Sequence, residues 1–175
     1  YVFERNYELA TVDFETALQL AKEKTSDDYY VELLDWTGMV RHWHYNLDGA
    51  LECLRLAAKL DPDNANHLVK QAGVQLDAGQ QDEALKLFEQ ALILDPDNVD
   101  ALLHRSNMRI LQGRPEQAKS DLERCLRLRP NHTMARLRLA AVLVPMEDLD
   151  GAKQQLAACG EDSSEVQSYR GELVF

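Results

Sequence analysis

The chain has 175 residues, of which 45% are apolar, and its formal net charge is −11. This length and apolar content are enough for a buried core, whereas the acidic balance argues against a nucleic-acid partner, because phosphate binding needs a continuous basic face. The longest uncharged apolar stretch, residues 139–146, is far shorter than the ~20 residues that span a bilayer, so this segment is not expected to contact a membrane.

The predicted elements follow a 34-residue spacing set by Pro62, Pro96 and Pro130, each of which takes position 32 of a repeat. In chain order they are the second helix of a truncated repeat (1–24), a loop (25–30), four full repeats (31–64, 65–98, 99–132 and 133–166) and the start of a further repeat (167–175). Both ends of the chain thus fall inside helical patterns. Their apolar stacking faces predict that the ends fray or pair, so a dimer through them is one expectation.

Side chains of matching size recur at fixed positions of this spacing. They are Gly38, Ala72, Ser106 and Ala140 at position 8, Ala50, Ala84, Ala118 and Ala152 at position 20, Leu54, Phe88, Leu122 and Leu156 at position 24, and Ala57, Ala91, Cys125 and Cys159 at position 27. This pattern resembles the tetratricopeptide repeat, whose two helices cross closely at the small positions. The resemblance implies an all-α, right-handed superhelical solenoid of about four full repeats plus partial repeats at both ends.

Residues typical of turns and helix caps stand where the predicted helices end and begin. Gly79 and Gly113 stand at position 15, where a left-handed residue ends the first helix. Asp or Asn after each proline is suited to cap the next helix by accepting from its free amides.

The first helices of stacked repeats line a concave groove, and this groove is the candidate binding site. Its predicted lining is Trp36, Met39, Lys70, Asp77, Leu103, His104, Asn107, Leu137, Arg138 and Ala141. Exposed apolar residues mixed with both charge signs suit an amphipathic helix or an extended peptide of another protein. The alternative is that part of the apolar set packs against neighbouring repeats.

Related repeat domains grip the C-terminal carboxylate of Hsp70 or Hsp90 with Lys, Asn, Asn, Lys and Arg at five fixed positions. Here those positions hold Asp35, Met39, Lys70, Asp100 and His104. A charge-assisted grip on a carboxylate needs the cationic donors. We therefore expect no chaperone-tail clamp in this segment.

No pattern of catalytic residues, cofactor loop or metal ligands stands out, so no enzyme activity and no cofactor are expected. His42 and His44 flank Trp43 and point to different helix faces, which argues against a shared metal ion. Cys125 and Cys159 are expected to be buried and inert. A basic cluster is expected either to dock an acidic partner or to pair with Asp121 and Glu123: Arg124, Arg127, Arg129, Arg136 and Arg138.

Several short sequence segments are similar to segments that occur in the same order in the large import receptor of the mitochondrial outer-membrane translocase. They are Leu33–Val40, His104–Met108, Asp121–Pro130 and Glu165–Leu173, so the resemblance spans residues 25–175 and points to that family's central and C-terminal repeats. Ser106 and Asn107 depart from the family's Gly and Gln, and Arg41–His44 from its Phe-rich continuation.

The resemblance implies a receptor on the cytosolic face of mitochondria that holds the targeting segments of precursor proteins in its groove. The family's anchor and chaperone clamp lie N-terminal to these repeats. A cytoplasmic assembly scaffold, a lumenal J-domain co-chaperone and a repeat appendage of an enzyme remain alternatives.

Overall fold

The computed structural model describes residues 12–20 and 27–159, and this part of the chain is helical with no strand. Residues 12–20 form a helical segment. The helices that follow are α1 (Asp27–Trp43), α2 (Leu47–Leu60), α3 (Ala65–Asp77), α4 (Gln81–Leu94), α5 (Val99–Leu111), α6 (Pro115–Leu128), α7 (Thr133–Leu143) and α8 (Leu149–Ala157). The predicted all-α fold is confirmed.

The chain divides into two compact units, Tyr1–Pro96 and Asp97–Phe175. The first unit holds α1 to α4, and the second holds α5 to α8. In each unit consecutive helices pack as neighbours, so that the short connections fold them into helical hairpins. Within each unit the two hairpins pack against each other, and this buries apolar surface that a single pair could not bury alone.

The packing positions of the repeat are buried, as their sizes predict. The alanines at position 20, and Leu54, Phe88 and Leu122 at position 24, are at most 2% exposed. Gly38 shows how tight the crossing is, because a Cβ atom built on it would lie 2.9 Å from Leu54 Cγ.

The last repeat is packed less fully than predicted. Leu156 and Cys159 are half-buried, so the expectation that Cys159 is buried is wrong, whereas Cys125 is completely buried.

Each of the four hairpins formed by α1 to α8 turns through a residue with a left-handed backbone at position 15. The predicted Gly79 and Gly113 have φ of +74° and +68°, and Tyr45 and Glu147 adopt the same conformation with φ of 58° and 62°. A hydrogen bond between residues five apart closes each turn: Asn46 N to Arg41 O (2.9 Å), Gln80 N to Gln75 O (2.8 Å), Arg114 N to Arg109 O (2.8 Å) and Asp148 N to Leu143 O (3.1 Å). The turn geometry therefore holds whether or not glycine is present.

The predicted Asp or Asn caps are formed after Pro62 and Pro96, but not by Asn131 after Pro130. Asn64 accepts from the Asn66 amide and Asn98 from the Ala101 amide, each through its side-chain oxygen. In the repeat that starts at Thr133, the ring of His132 takes the role of asparagine.

The predicted loop at 25–30 is wrong in part, because α1 already begins at Asp27. Tyr30 and Val31 pack in the cluster that holds Leu34 and Cys53, and this burial favours extending the helix towards its N-terminus. The predictions made for residues 1–11, 21–26 and 160–175 lie outside the described residues. They include the further repeat at 167–175 and the pairing of chain ends.

Candidate peptide-binding surface

One face of α1 exposes two large apolar side chains. Trp36 and Trp43 are 50% and 51% exposed, and Met39 between them is half-buried. These residues stand at i, i+3 and i+7, so they share one face of the helix, while Leu34 and Val40 fill the core on another. We call Trp36, Met39 and Trp43 the α1 stripe.

The predicted groove residues of α3 carry charge. Lys70 forms an ion pair with Asp35, whose other oxygen lies 2.9 Å from His67 Nδ1. Asp77 is 59% exposed and accepts a hydrogen bond of 2.7 Å from His42 Nε2. The structure thus brings the α1 stripe, Lys70 and Asp77 together in one unit. Two contacts join α1 to α3 there, the Lys70–Asp35 ion pair and the His42–Asp77 hydrogen bond.

A surface pocket of about 360 Å³ lies where these two helices end. Its described lining residues are His42, Trp43, Tyr45 and Asp77. It combines two aromatic rings with a carboxylate, so its chemistry suits a cationic group rather than an anion.

A second pocket of about 350 Å³ lies at the opposite end of the same helices. His67 is 1% exposed, and its two ring nitrogens face Asp35 and Asp61 at 2.9 and 3.3 Å. Hydrogen bonds from Asn64 and then from His67 lower the pKa of the Asp61 carboxyl. The sequence analysis missed His67, since one histidine at the third position of a repeat carries no signal of its own. Its two carboxylate contacts and complete burial indicate a role in joining α1 to α3.

In the second unit the groove prediction needs one correction. Leu137 is completely buried, so it packs in the core, although Arg136 and Arg138 beside it are only half-buried. Leu103, His104, Asn107, Arg138 and Ala141 are half-buried. Arg138 Nη1 donates to the Leu103 carbonyl oxygen at 3.0 Å, and burial, together with the nearby Arg138 charge, lowers the pKa of His104.

The basic cluster pairs differently from the prediction. Asp121, 4% exposed, accepts from Arg105 and Arg109, each with a closest contact of 2.7 Å. Arg124 instead pairs with Asp97 at 2.8 Å. The carboxylate at 121 thus joins α5 to α6 inside the unit, because Arg105 and Arg109 lie one turn apart on the facing helix.

The chemistry of a metal or redox site is not found in the described residues. No group of three or more His, Cys, Asp or Glu side chains in this part is arranged to hold a metal ion. Burial raises the pKa of the Cys125 thiol to about 11 and also raises that of Cys53, which keeps both in the unreactive thiol form. Within the same ranges no helix has the length and apolar character that crossing a bilayer demands.

Solved structures with the same fold are numerous. Pseudomonas aeruginosa pilF matches with a TM-score of 0.78 at 21% identity, over 97% of this chain and 76% of that one. The Arabidopsis OM64 tetratricopeptide-repeat (TPR) domain matches with 0.63 at 22% identity, over 69% and 99%. The first TPR of Spaghetti (RPAP3), bound to the HSP90 peptide SRMEEVD, matches with 0.62 at 23% identity, over 67% and 93%. At these identities the likeness concerns the fold alone.

Sequence comparison gives the family. No curated protein matches the chain. Two family models, both described as tetratricopeptide repeat, match residues 46–108 and 109–168, and together they cover more than half of the chain. With the buried packing positions and the four left-handed turns, these matches establish that the chain belongs to the tetratricopeptide-repeat family.

Proposed function

We propose that this chain is a protein-interaction scaffold that binds a segment of its partner along α1 and α3. The tetratricopeptide repeat is a scaffold for protein interaction rather than an enzyme fold. The observation that carries the proposal is the α1 stripe, where two half-exposed tryptophans lie on one helix face. Tryptophan is the residue type most often found to dominate binding energy at interfaces.

For the ligand we propose a basic amphipathic segment of a precursor protein, with the parent protein a mitochondrial import receptor exposed to the cytosol. Two features support this finer proposal. First, the sequence segments between Leu33 and Pro130 are similar to segments of that receptor family and occur in the same order. Second, the net charge of −11 attracts a basic ligand. The alternative is a cytoplasmic assembly scaffold or co-chaperone, which would bind a different protein.

The chaperone-tail clamp is a poor model for this surface. Where the clamp needs a lysine, α1 has Asp35, and this carboxylate holds Lys70 and His67. An acidic C-terminal peptide would therefore meet a carboxylate instead of a cation. The HSP90 peptide SRMEEVD is accordingly a negative control for binding.

The test uses a labelled helical peptide that has leucines on one face and arginines beside them, called the arginine peptide. Its fluorescence anisotropy is measured while the protein is titrated. We expect saturable binding, no binding of SRMEEVD, and a change in the emission of the two tryptophans, both of which lie on α1.

A matched pair of variants locates the site. Trp36→Ala should weaken binding by about 2 kcal/mol, or roughly 30-fold in Kd. Ile93→Ala, which removes a more exposed apolar side chain from α4, should have no effect. Unchanged binding by Trp36→Ala would exclude the α1 stripe as the binding surface, and absence of binding by the unaltered chain would exclude a basic amphipathic ligand.

A further inference from the structure

We propose that the pocket formed by His42, Trp43, Tyr45 and Asp77 is a subsite for one cationic side chain, an ammonium or guanidinium group of the bound segment. This inference rests on the proposed function and adds the chemistry of one position in the ligand. The pocket has a volume of about 360 Å³, which accommodates the end of a lysine or arginine side chain.

The carboxylate of Asp77 has an oxygen available for this cation. Oδ2 accepts from His42 Nε2 at 2.7 Å, and within the described ranges no donor reaches Oδ1. The Asp77 side chain is 59% exposed, so an incoming guanidinium can contact it without displacing a protein group. His42 therefore orients the carboxylate and leaves one acceptor directed to the ligand.

The backbone around the pocket adds to the negative potential. Trp43 is the last residue of α1 and Asp77 the last of α3, so two helices end at this pocket. Carbonyl groups at a helix C-terminus carry a partial negative charge that favours cations. The nearest cation on α1, Arg41, is already engaged by Glu15 at 2.9 Å and by the Gly49 carbonyl oxygen at 3.1 Å.

The aromatic walls complete a site for a cation. Trp43 is 51% exposed and Tyr45 is 84% exposed, and a cation within about 6 Å of such a ring is attracted by its negative face. Tyr45 also has φ of 58°, a conformation in which glycine stands in two other repeats. A tyrosine at a position that favours glycine is consistent with a use for its ring.

The position of the pocket sets the spacing of the ligand. From Trp36 to Trp43 there are seven residues of helix, or about 10 Å along its axis. A helical ligand lying along α1 would therefore present a leucine and an arginine about seven residues apart on one face. The subsite thus selects basic amphipathic segments by register as well as by charge.

The test compares the arginine peptide with an otherwise identical peptide that has citrulline, an uncharged residue of the same shape, in place of the pocket-facing arginine. We expect the citrulline peptide to bind roughly tenfold more weakly. In Asp77→Asn this difference should fall to about threefold, because the rings and the helix ends still attract the cation, while the citrulline peptide keeps its affinity. Glu89→Gln, which removes the same charge from an exposed position on α4, should keep the full difference.

Tyr45→Gly separates binding from folding. Because the variant relieves a left-handed tyrosine, it should be at least as stable as the parent chain, yet it should bind the arginine peptide more weakly. Equal binding of both peptides by the unaltered chain, or a full difference in Asp77→Asn, overturns the cation subsite while the binding surface stands. If neither peptide binds, the proposed basic amphipathic ligand is excluded, and the subsite with it.

Discussion

Gly38 and Gly73 provide a direct test of the close crossing between α1 and α2. Both are interior residues of helices in the first unit, on α1 and α3. A Cβ atom added at Gly38 would lie 2.9 Å from Leu54 Cγ and 3.3 Å from the Ala50 carbonyl oxygen, whereas one added at Gly73 meets no atom within 4 Å. The same substitution to alanine is therefore overpacked at one site and unhindered at the other.

The expected magnitudes follow from this difference. Replacing glycine by alanine inside a helix increases the free energy of unfolding by about 0.5–1 kcal/mol, and Gly73→Ala should show this gain. Gly38→Ala should have the same gain in helix propensity minus an overpacking cost of about 1–3 kcal/mol, because the completely buried Leu54 has no free space to turn into and the Ala50 carbonyl oxygen belongs to the backbone. The propensity term cancels between the two variants, so they should differ by about 1–3 kcal/mol.

The assay is urea unfolding followed by tryptophan emission, since both tryptophans lie on α1 and report on the first unit. Gly73→Ala should shift the midpoint up and Gly38→Ala should shift it down, with unchanged slopes. If Gly38→Ala stabilises the chain as much as Gly73→Ala does, position 8 has room for a methyl group. The close crossing at Leu54 would then be refuted.

Three further predictions concern the second unit. Glu147→Gly should increase the free energy of unfolding by up to about 1 kcal/mol, because it removes a left-handed non-glycine residue with φ of 62°. Asp121→Asn should lower the free energy of unfolding by about 2–3 kcal/mol, since Arg105 and Arg109 lose a buried charged acceptor. The control Glu83→Gln, in an exposed ion pair, should change the free energy of unfolding by about 0.5 kcal/mol or less. Because the pKa of His104 is lowered in the folded chain, the unfolded chain binds more protons, and stability falls as the pH drops from 7 towards 5. His104→Gln should make this fall smaller, as measured by Tm against pH.

The fold was predictable because its information is local and repeated. Pro62, Pro96 and Pro130 set the period, and the residue sizes at the crossing positions are those that the structure buries. The left-handed turns at Gly79 and Gly113 followed from the same positions. Each of these features depends on the size or backbone freedom of a residue at a fixed position, so the sequence carries it directly, although Tyr45 and Glu147 show that the turn also forms without glycine.

The binding surface was less predictable, because side-chain partners depend on distances that no single repeat contains. Leu137 fits the groove position but is completely buried, whereas Arg138 beside it is only half-buried. Asp121 pairs with Arg105 and Arg109 on the facing helix, not with the arginines next to it in the sequence. The repeat spacing predicts the helix face on which a residue lies, but it does not predict which neighbouring side chain pairs with that residue.

The two kinds of position explain why a common fold can take different ligands. At positions 8 and 24 the residues are fixed by contact, as Gly38 and Leu54 are, and a change there costs stability. The side chains of Trp36 and Asp77 are half exposed or more, so replacing either of them alters the chemistry of the surface at little structural cost. A clamp that needs lysine and a surface that presents Asp35 and Asp77 can therefore be built on the same helix pairs. In this chain the proposed cation subsite depends on such exposed side chains, the carboxylate of Asp77 and the aromatic rings beside it.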